Sequence, residues 1–238
     1  MSDSKTWSAG ETSPTSQFAP GPILLLGAPG VGKGTQAKEV MRIWSIPQIS
    51  TGDLLRSNVE AATALGLQAK DLMNRGELVS DTLVNQMVAQ RLHEPDTATG
   101  YILDGFPRTL VQANWLDGHL VEQGGELPVV AVSIRVSYNQ LLLRITGRRM
   151  CPNCKAIYNV YLHPPRREEL CDSDGAKLVS RSDDTEKVFE ERMRAYEALT
   201  APVVEHYRGL GRFSEVDGEQ AVEFVTTSIM AAIVRLRK

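Results

Sequence analysis

Apolar residues in this chain fall into two kinds of run. Short blocks with little polar interruption, at 23–26, 101–103 and 129–136, read as strands buried on both faces of a sheet. Between them apolar residues recur every three or four positions over 33–44, 65–74, 81–92 and 110–122, the spacing of amphipathic helices. Strands alternating with helices predict an α/β fold, a parallel sheet with helices on both faces. Ser137 stands where a helix cap belongs, ahead of Leu141, Leu142 and Ile145, with Gly147 as the stop. From there to Asp184 the density of Pro, Cys and Asp rises, and the stretch reads as an insertion with its own fold. Helical spacing returns over 185–207, and Val222, Val225, Ile229, Ile233 and Leu236 form the apolar face of a last helix. Residues 1–20, rich in Ser, Thr, Gly and Pro, predict a flexible tail, because so little apolar surface does not offset the entropy of ordering.

Composition narrows the function. At 238 residues the chain is long enough for one large core with inserted subdomains. A formal net charge of −3 argues against nucleic-acid binding driven by phosphate neutralisation. No apolar run reaches the roughly 18 residues that a membrane span requires, and no charged-then-apolar leader opens the chain. The expectation is a cytoplasmic protein, monomeric, without nucleic-acid or membrane partners. The three cysteines, Cys151, Cys154 and Cys171, cluster together, which points to a metal before a disulfide.

The block at 23–26 runs directly into Gly27-Ala28-Pro29-Gly30-Val31-Gly32-Lys33-Gly34-Thr35 and then into a helix, the context of a phosphate-binding loop. Glycines let successive backbone N–H groups turn inward as an anion nest, and the helix N-terminus adds partial positive charge. Lys33 supplies a full charge to the outer phosphates. Gly34 separates that lysine from Thr35, which weakens the usual assignment of a magnesium-binding hydroxyl. Asp104, at the end of the block 101–103, faces the same rim, where a carboxylate orients waters around Mg2+.

Three segments, GAPGVGKGTQA at 27–37, ISTGDLLR at 49–56 and DGFPRTLVQA at 104–113, together resemble the adenylate kinase family. The resemblance runs from about residue 21 to the C-terminus, and in that family Gly34 belongs to the loop pattern. It implies a P-loop kinase that moves a phosphoryl group between ATP and AMP, giving two ADP, with Mg2+ accompanying ATP. Carried over by position, Gly30, Val31, Gly32, Lys33, Gly34 and Thr35 would hold the donor phosphates, with Arg148, Ile157, Tyr158 and the Gln220 backbone around ATP. Thr51, Arg56, Glu77, Leu78, Val79, Gly105, Phe106, Pro107, Arg108 and Gln112 would hold AMP. Glu77 stands where some members carry lysine, so only its backbone is assigned. Arg144, Arg181 and Arg192 complete the set around the phosphates, Arg181 and Arg192 on the AMP side. Two polyanions brought together, with charge spreading over the transferring phosphoryl, are suited by such a cage of planar cations.

Cys151-Pro152-Asn153-Cys154, followed after sixteen residues by Cys171-Asp172-Ser173-Asp174, has the paired-knuckle spacing of a tetrahedral zinc site. Asp174 replaces the expected fourth cysteine, and His163 and Asp172 are rival fourth ligands. The stretch resembles the zinc-bearing lid of one branch of bacterial adenylate kinases, with Zn2+ structural. The expected organisation is a tail at 1–20, a core P-loop domain at 21–49, 80–146 and 185–238, a helical AMP-binding insertion at 50–79, and a small zinc-stabilised lid at 147–184. Two rivals stand beside it: a kinase for UMP or CMP, which the long lid and Gln112 disfavour, and a nucleotide-binding regulatory module without turnover, which Lys33, Arg108 and Arg148 disfavour.

Overall fold

A computed structural model describes residues 18–125 and 127–238. Most of the predicted tail, residues 1–17, lies outside the described residues. At its end Phe18 packs its ring 5.3 Å from that of Trp44, and Pro20 is buried with its carbonyl accepting from Arg237.

The central sheet has the order β2-β3-β1-β4-β7, with β1 at Gly21–Leu26, β2 at Gln48–Ser50, β3 at Gly100–Asp104, β4 at Val130–Arg135 and β7 at Phe213–Asp217. Every pairing in it is parallel, as the alternation of strands and helices requires. Side chains along β1 alternate between two cores. Ile23 and Leu25 join one with α1 (Lys33–Trp44), α6 (Tyr138–Thr146), α7 (Glu186–Ala195) and α9 (Val222–Leu236). Leu24 and Leu26 join the other with α2 (Thr51–Glu60), α3 (Ala64–Arg75), α4 (Asp81–Leu92), α5 (Leu110–Glu122) and α8 (Ala201–Gly209). Each of these fully buried aliphatic side chains stabilises the fold by about 1.5–3 kcal/mol. That two-sided burial is why the block at 23–26 carries no polar residue.

Several elements escape the apolar pattern, β2 and α2 among them. In β7, an edge strand, buried Ser214 and Val216 alternate with exposed Glu215 and Asp217, because one face of the strand is covered and the other is open. The helix expected over 185–207 is divided into α7 and α8 by a π-turn at Tyr196–Thr200. The segment at 147–184 has its own small sheet, β5 (Arg148–Met150) antiparallel to β6 (Ile157–Asn159), over a core of Cys151, Cys171 and Leu178.

The sheet reverses its winding at β1, which lies between β3 and β4. Ligands of open α/β sheets bind beyond the carboxyl ends of the strands at such a point. The loop after β1, the end of β3 and the segment after β2 all open there.

Candidate active site

The loop at 27–32 is built for close approach. Gly27 has φ 135°, and a Cβ there would stand 2.6 Å from the Ile134 carbonyl oxygen. Gly30, at φ 88°, lies so close to α6 that a Cβ would meet Ile145 at 2.9 Å. Only glycine fits both the conformation and the space. Lys33 opens α1 and folds back, its Nζ donating to the carbonyls of Gly27 at 2.8 Å and Ala28 at 3.2 Å. Burial lowers its pKa to about 8; Asp104 works in the opposite direction, and Arg108, Arg192 and Arg148 add to the lowering. At the tip of β3 the Asp104 carboxylate accepts from Gln48 Nε2 at 2.9 Å and borders Gly34.

Two clefts adjoin at this edge. The first, about 610 Å³ up to its open mouth, is lined by Thr51, Leu55, Arg56, Met73, Glu77, Leu78, Val79, Val84 and Gln112. The second, about 530 Å³, is lined by Gly27, Pro29 and Lys33 with Phe106, Pro107, Tyr196 and Thr200. Arg108, Arg192, Gly76, Leu78 and Gly105 line both. The loop with its lysine therefore opens onto one cleft, the apolar side chains of 50–79 onto the other, and two arginines stand between.

The cations form a mutually repelling set. Burial holds Arg192 down to about 10, where Asp183 opposes the shift and Arg108 and Arg148 add to it; the Arg192 fork donates to Asp183 at 2.9 Å. Arg181 is likewise held to about 10 by burial and by Arg148 and Arg56, and its buried Nε has no protein partner. Burial also lowers Arg108, whose Nε donates to the Gly105 carbonyl at 2.8 Å. Burial disfavours the charge on Arg148 too, but its two-point pair with Asp184 outweighs this and raises its pKa. Arg56 donates to Asp53 at 2.6 Å. So many half-buried cations held together gain most from a polyanionic ligand.

The remaining expected residues divide between the clefts and positions outside them. Arg144 stands behind the loop, donating to the Val31 carbonyl at 3.1 Å and the Gly218 carbonyl at 2.9 Å. The Glu77 side chain is exposed and pairs with Arg75 at 2.7 Å. Gln112 accepts from the Arg108 N–H at 2.7 Å and donates to Asp81 at 2.8 Å, while the Thr51 hydroxyl donates to the Gly105 carbonyl at 2.9 Å. Ile157, Tyr158 and Gln220 line neither cleft, and the Tyr158 hydroxyl is directed into the cysteine cluster, 3.5 Å from Cys171 Sγ. Sequence reasoning missed Asp183 and Asp184, the acidic partners of Arg192 and Arg148. Their adjacency to Arg181 in a run without apolar residues was the available signal.

The segment at 147–184 repeats one turn twice. Cys151 N–H bonds the Ala156 carbonyl and Lys155 N–H the Cys151 carbonyl; Cys171 N–H bonds the Ala176 carbonyl and Gly175 N–H the Cys171 carbonyl. Asp174 thus occupies in the second turn the place of Cys154 in the first. The ligand atoms of Cys151, Cys154, Cys171 and Asp174 lie within 4.8 Å of one another, a group that could hold a metal ion. Asp172 instead accepts from the Arg166 N–H at 2.9 Å, and His163 is outside the group. The N–H of Ala176 holds the Asp174 carboxyl below its ordinary range, as do the thiols around it.

A glycine loop between a strand and a helix, a half-buried lysine, and an arginine cluster joining two clefts define a P-loop phosphotransferase. Residues 25–212 match the family model for adenylate kinase. The chain is 47% identical over 207 residues to an adenylate kinase of Nitrosococcus oceani, covering 87% of this chain and 95% of that protein. It is 44% identical to those of Carboxydothermus hydrogenoformans, over 89% of this chain and 98% of the relative, and Archaeoglobus fulgidus, over 90% and 99%. The chain belongs to the adenylate kinase family and is an enzyme of that family.

Proposed function

We propose a division of labour among these residues for the reaction of this enzyme, the reversible transfer of a phosphoryl group between ATP and AMP to give two ADP. The observation that carries it is the junction of the two clefts at Arg108 and Arg192, with Lys33 opening onto one side and Arg56 and Gln112 onto the other. ATP phosphates lie along the loop at 27–35, on Lys33 and the inward N–H groups. AMP occupies the first cleft, its base against Leu55, Met73, Val79 and Val84 and its phosphate toward Arg56 and Arg108. In-line transfer then takes place between two phosphates already neutralised by Lys33, Arg108, Arg148, Arg181 and Arg192, so that charge spreading over the transferring group meets fixed donors. The chain needs no general base, because a phosphomonoester with a second pKa of about 6 is already largely dianionic at neutral pH.

Mg2+ bound with ATP supplies charge neutralisation on the outer phosphates; Asp104, which shares one carboxylate oxygen with Gln48, is the residue that would orient its waters. The cysteine group fits structural Zn2+. The Cys154 and Cys171 sulfurs are 3.6 Å apart, near the edge of about 3.8 Å expected for a tetrahedron with Zn–S bonds of about 2.3 Å, and three sulfurs with one carboxylate leave no open position. Zn2+ there would hold the segment 147–184 together as a lid and take no part in transfer. Lid closure excludes water from the transferring phosphoryl, for which adenylate kinase lids are a standard example. Residues 50–79 act as the AMP-binding insertion, and the remainder of the chain from 21 as the core. A monomer is the expected state, and the free thiols support a reducing, cytoplasmic location.

A coupled assay of nucleoside diphosphate formation, with ATP or GTP as donor and AMP, CMP, UMP or GMP as acceptor, tests the reading. AMP should exceed every other acceptor in kcat/KM by more than about tenfold. A preference for UMP or CMP would overturn it.

A further inference from the structure

Between α7 and α8 the chain makes a π-turn at Tyr196–Thr200, in which hydrogen bonds reach one residue further than in an α-helix. Wide turns of this kind occur frequently at functional sites. This one borders the second cleft, which both Tyr196 and Thr200 line. Thr200 is 8% exposed, and its Oγ1 donates a 2.9 Å hydrogen bond to the backbone carbonyl of Arg108. The N–H of Arg108 is held from the other side by Gln112 at 2.7 Å, and its Nε by the Gly105 carbonyl at 2.8 Å. Its backbone is therefore tied at both ends, and the fork emerges between the clefts.

The turn also sets the phase of the helix. Eight residues separate Arg192 from Thr200, which in a regular α-helix would place them about 80° apart around the axis. One residue absorbed by the wide turn reduces this to about 20°, so both face Arg108 from one side.

We propose that Thr200 is a positioning residue for phosphoryl transfer. Its hydroxyl fixes the Arg108 carbonyl and so sets the Arg108 guanidinium at the junction before either nucleotide arrives. The inference rests on the role given to Arg108 above, and the test separates the two.

Thr200→Val, Thr200→Ser, Arg108→Ala and the double variant Arg108→Ala/Thr200→Val are compared for kcat, for the KM of each nucleotide, and for folding by circular dichroism. Thr200→Val should lower kcat by on the order of tenfold and raise the KM for AMP more than that for ATP, since a small displacement of a charge at the reacting centre is felt in the transition state. Thr200→Ser, which keeps the hydroxyl, should stay within about twofold of the parent. In the Arg108→Ala background the valine should cost less than about twofold, because it acts through a side chain already absent. Thr200→Ala replaces the valine variant, with the same expectations, if the latter does not fold. Parental kinetics in Thr200→Val, an equal loss in Thr200→Ser, or the full loss repeated in the Arg108→Ala background would each overturn the proposal. Near-parental turnover in Arg108→Ala alone would instead overturn the reading of Arg108, and this inference with it.

Discussion

Arg148 and Asp184 form a two-point ion pair in which the carboxylate is only 1% exposed, and the arginine opens β5 where the segment 147–184 leaves the core. The pair spans the two ends of that segment. Asp184→Asn should lower stability by about 2 kcal/mol, because the half-buried guanidinium loses its counter-charge but keeps a hydrogen-bond acceptor. It should also raise the KM for ATP several-fold as Arg148 loses its fixed direction. Thermal denaturation and initial rates measure both, and an unchanged KM would show that Arg148 is oriented by other contacts.

Lys33→Met should lower kcat by on the order of a hundredfold or more while the melting temperature stays close to the parent, since the lysine charge acts on phosphates and its carbonyl contacts lie in a loop. Turnover near the parental value would remove Lys33 from the transfer step.

The same lysine makes a pH prediction. Its pKa falls from an ordinary 10.5 to about 8 on folding, so between those values the unfolded chain binds more protons than the folded one. The contribution of Lys33 to stability therefore rises with pH through that window, and below it the charged lysine costs stability. Activity moves in the opposite sense: kcat/KM for ATP in the free enzyme should decline above about pH 8 as the charge is lost. Bound phosphates restore the charged form, so kcat at saturation should hold to higher pH. Coincident profiles for kcat and kcat/KM would contradict this.

Arg108→Ala should depress kcat by about two orders of magnitude and raise the KM for AMP about tenfold, because a charge-assisted hydrogen bond to the shared phosphate strengthens toward the transition state. An effect confined to the KM for ATP would place Arg108 on the donor side alone.

The purified protein should contain about one equivalent of zinc, and chelation should lower the melting temperature by about 5 °C or more, roughly the effect of 2 kcal/mol in a chain of this size. Asp174→Cys should retain the metal and Asp174→Ala should loosen it, thiolate being the softer ligand. Elemental analysis decides: no zinc in protein prepared without chelator would remove the site, and full retention in Asp174→Ala would move the fourth position to another group.

By itself the sequence determined what is local. The buried strand at 23–26, the glycine loop, the ends of α1, α4 and α5 and the two cysteine turns are legible because backbone conformation and burial period depend on neighbours a few residues apart. Only the tertiary structure decided what depends on strand order and distant contacts. The edge strand β7 hides in an alternating pattern because only one of its faces is covered. Which acid faces which arginine, Asp183 to Arg192 and Asp184 to Arg148, is fixed by the return of the chain from the inserted segment. Arg144 turns to the Val31 and Gly218 carbonyls because α6 lies behind the loop. Thr200 reaches Arg108 across 92 residues because α8 packs against α5 and β4, which brings the π-turn ahead of α8 to the loop that precedes α5, and no periodicity in the sequence encodes that distance.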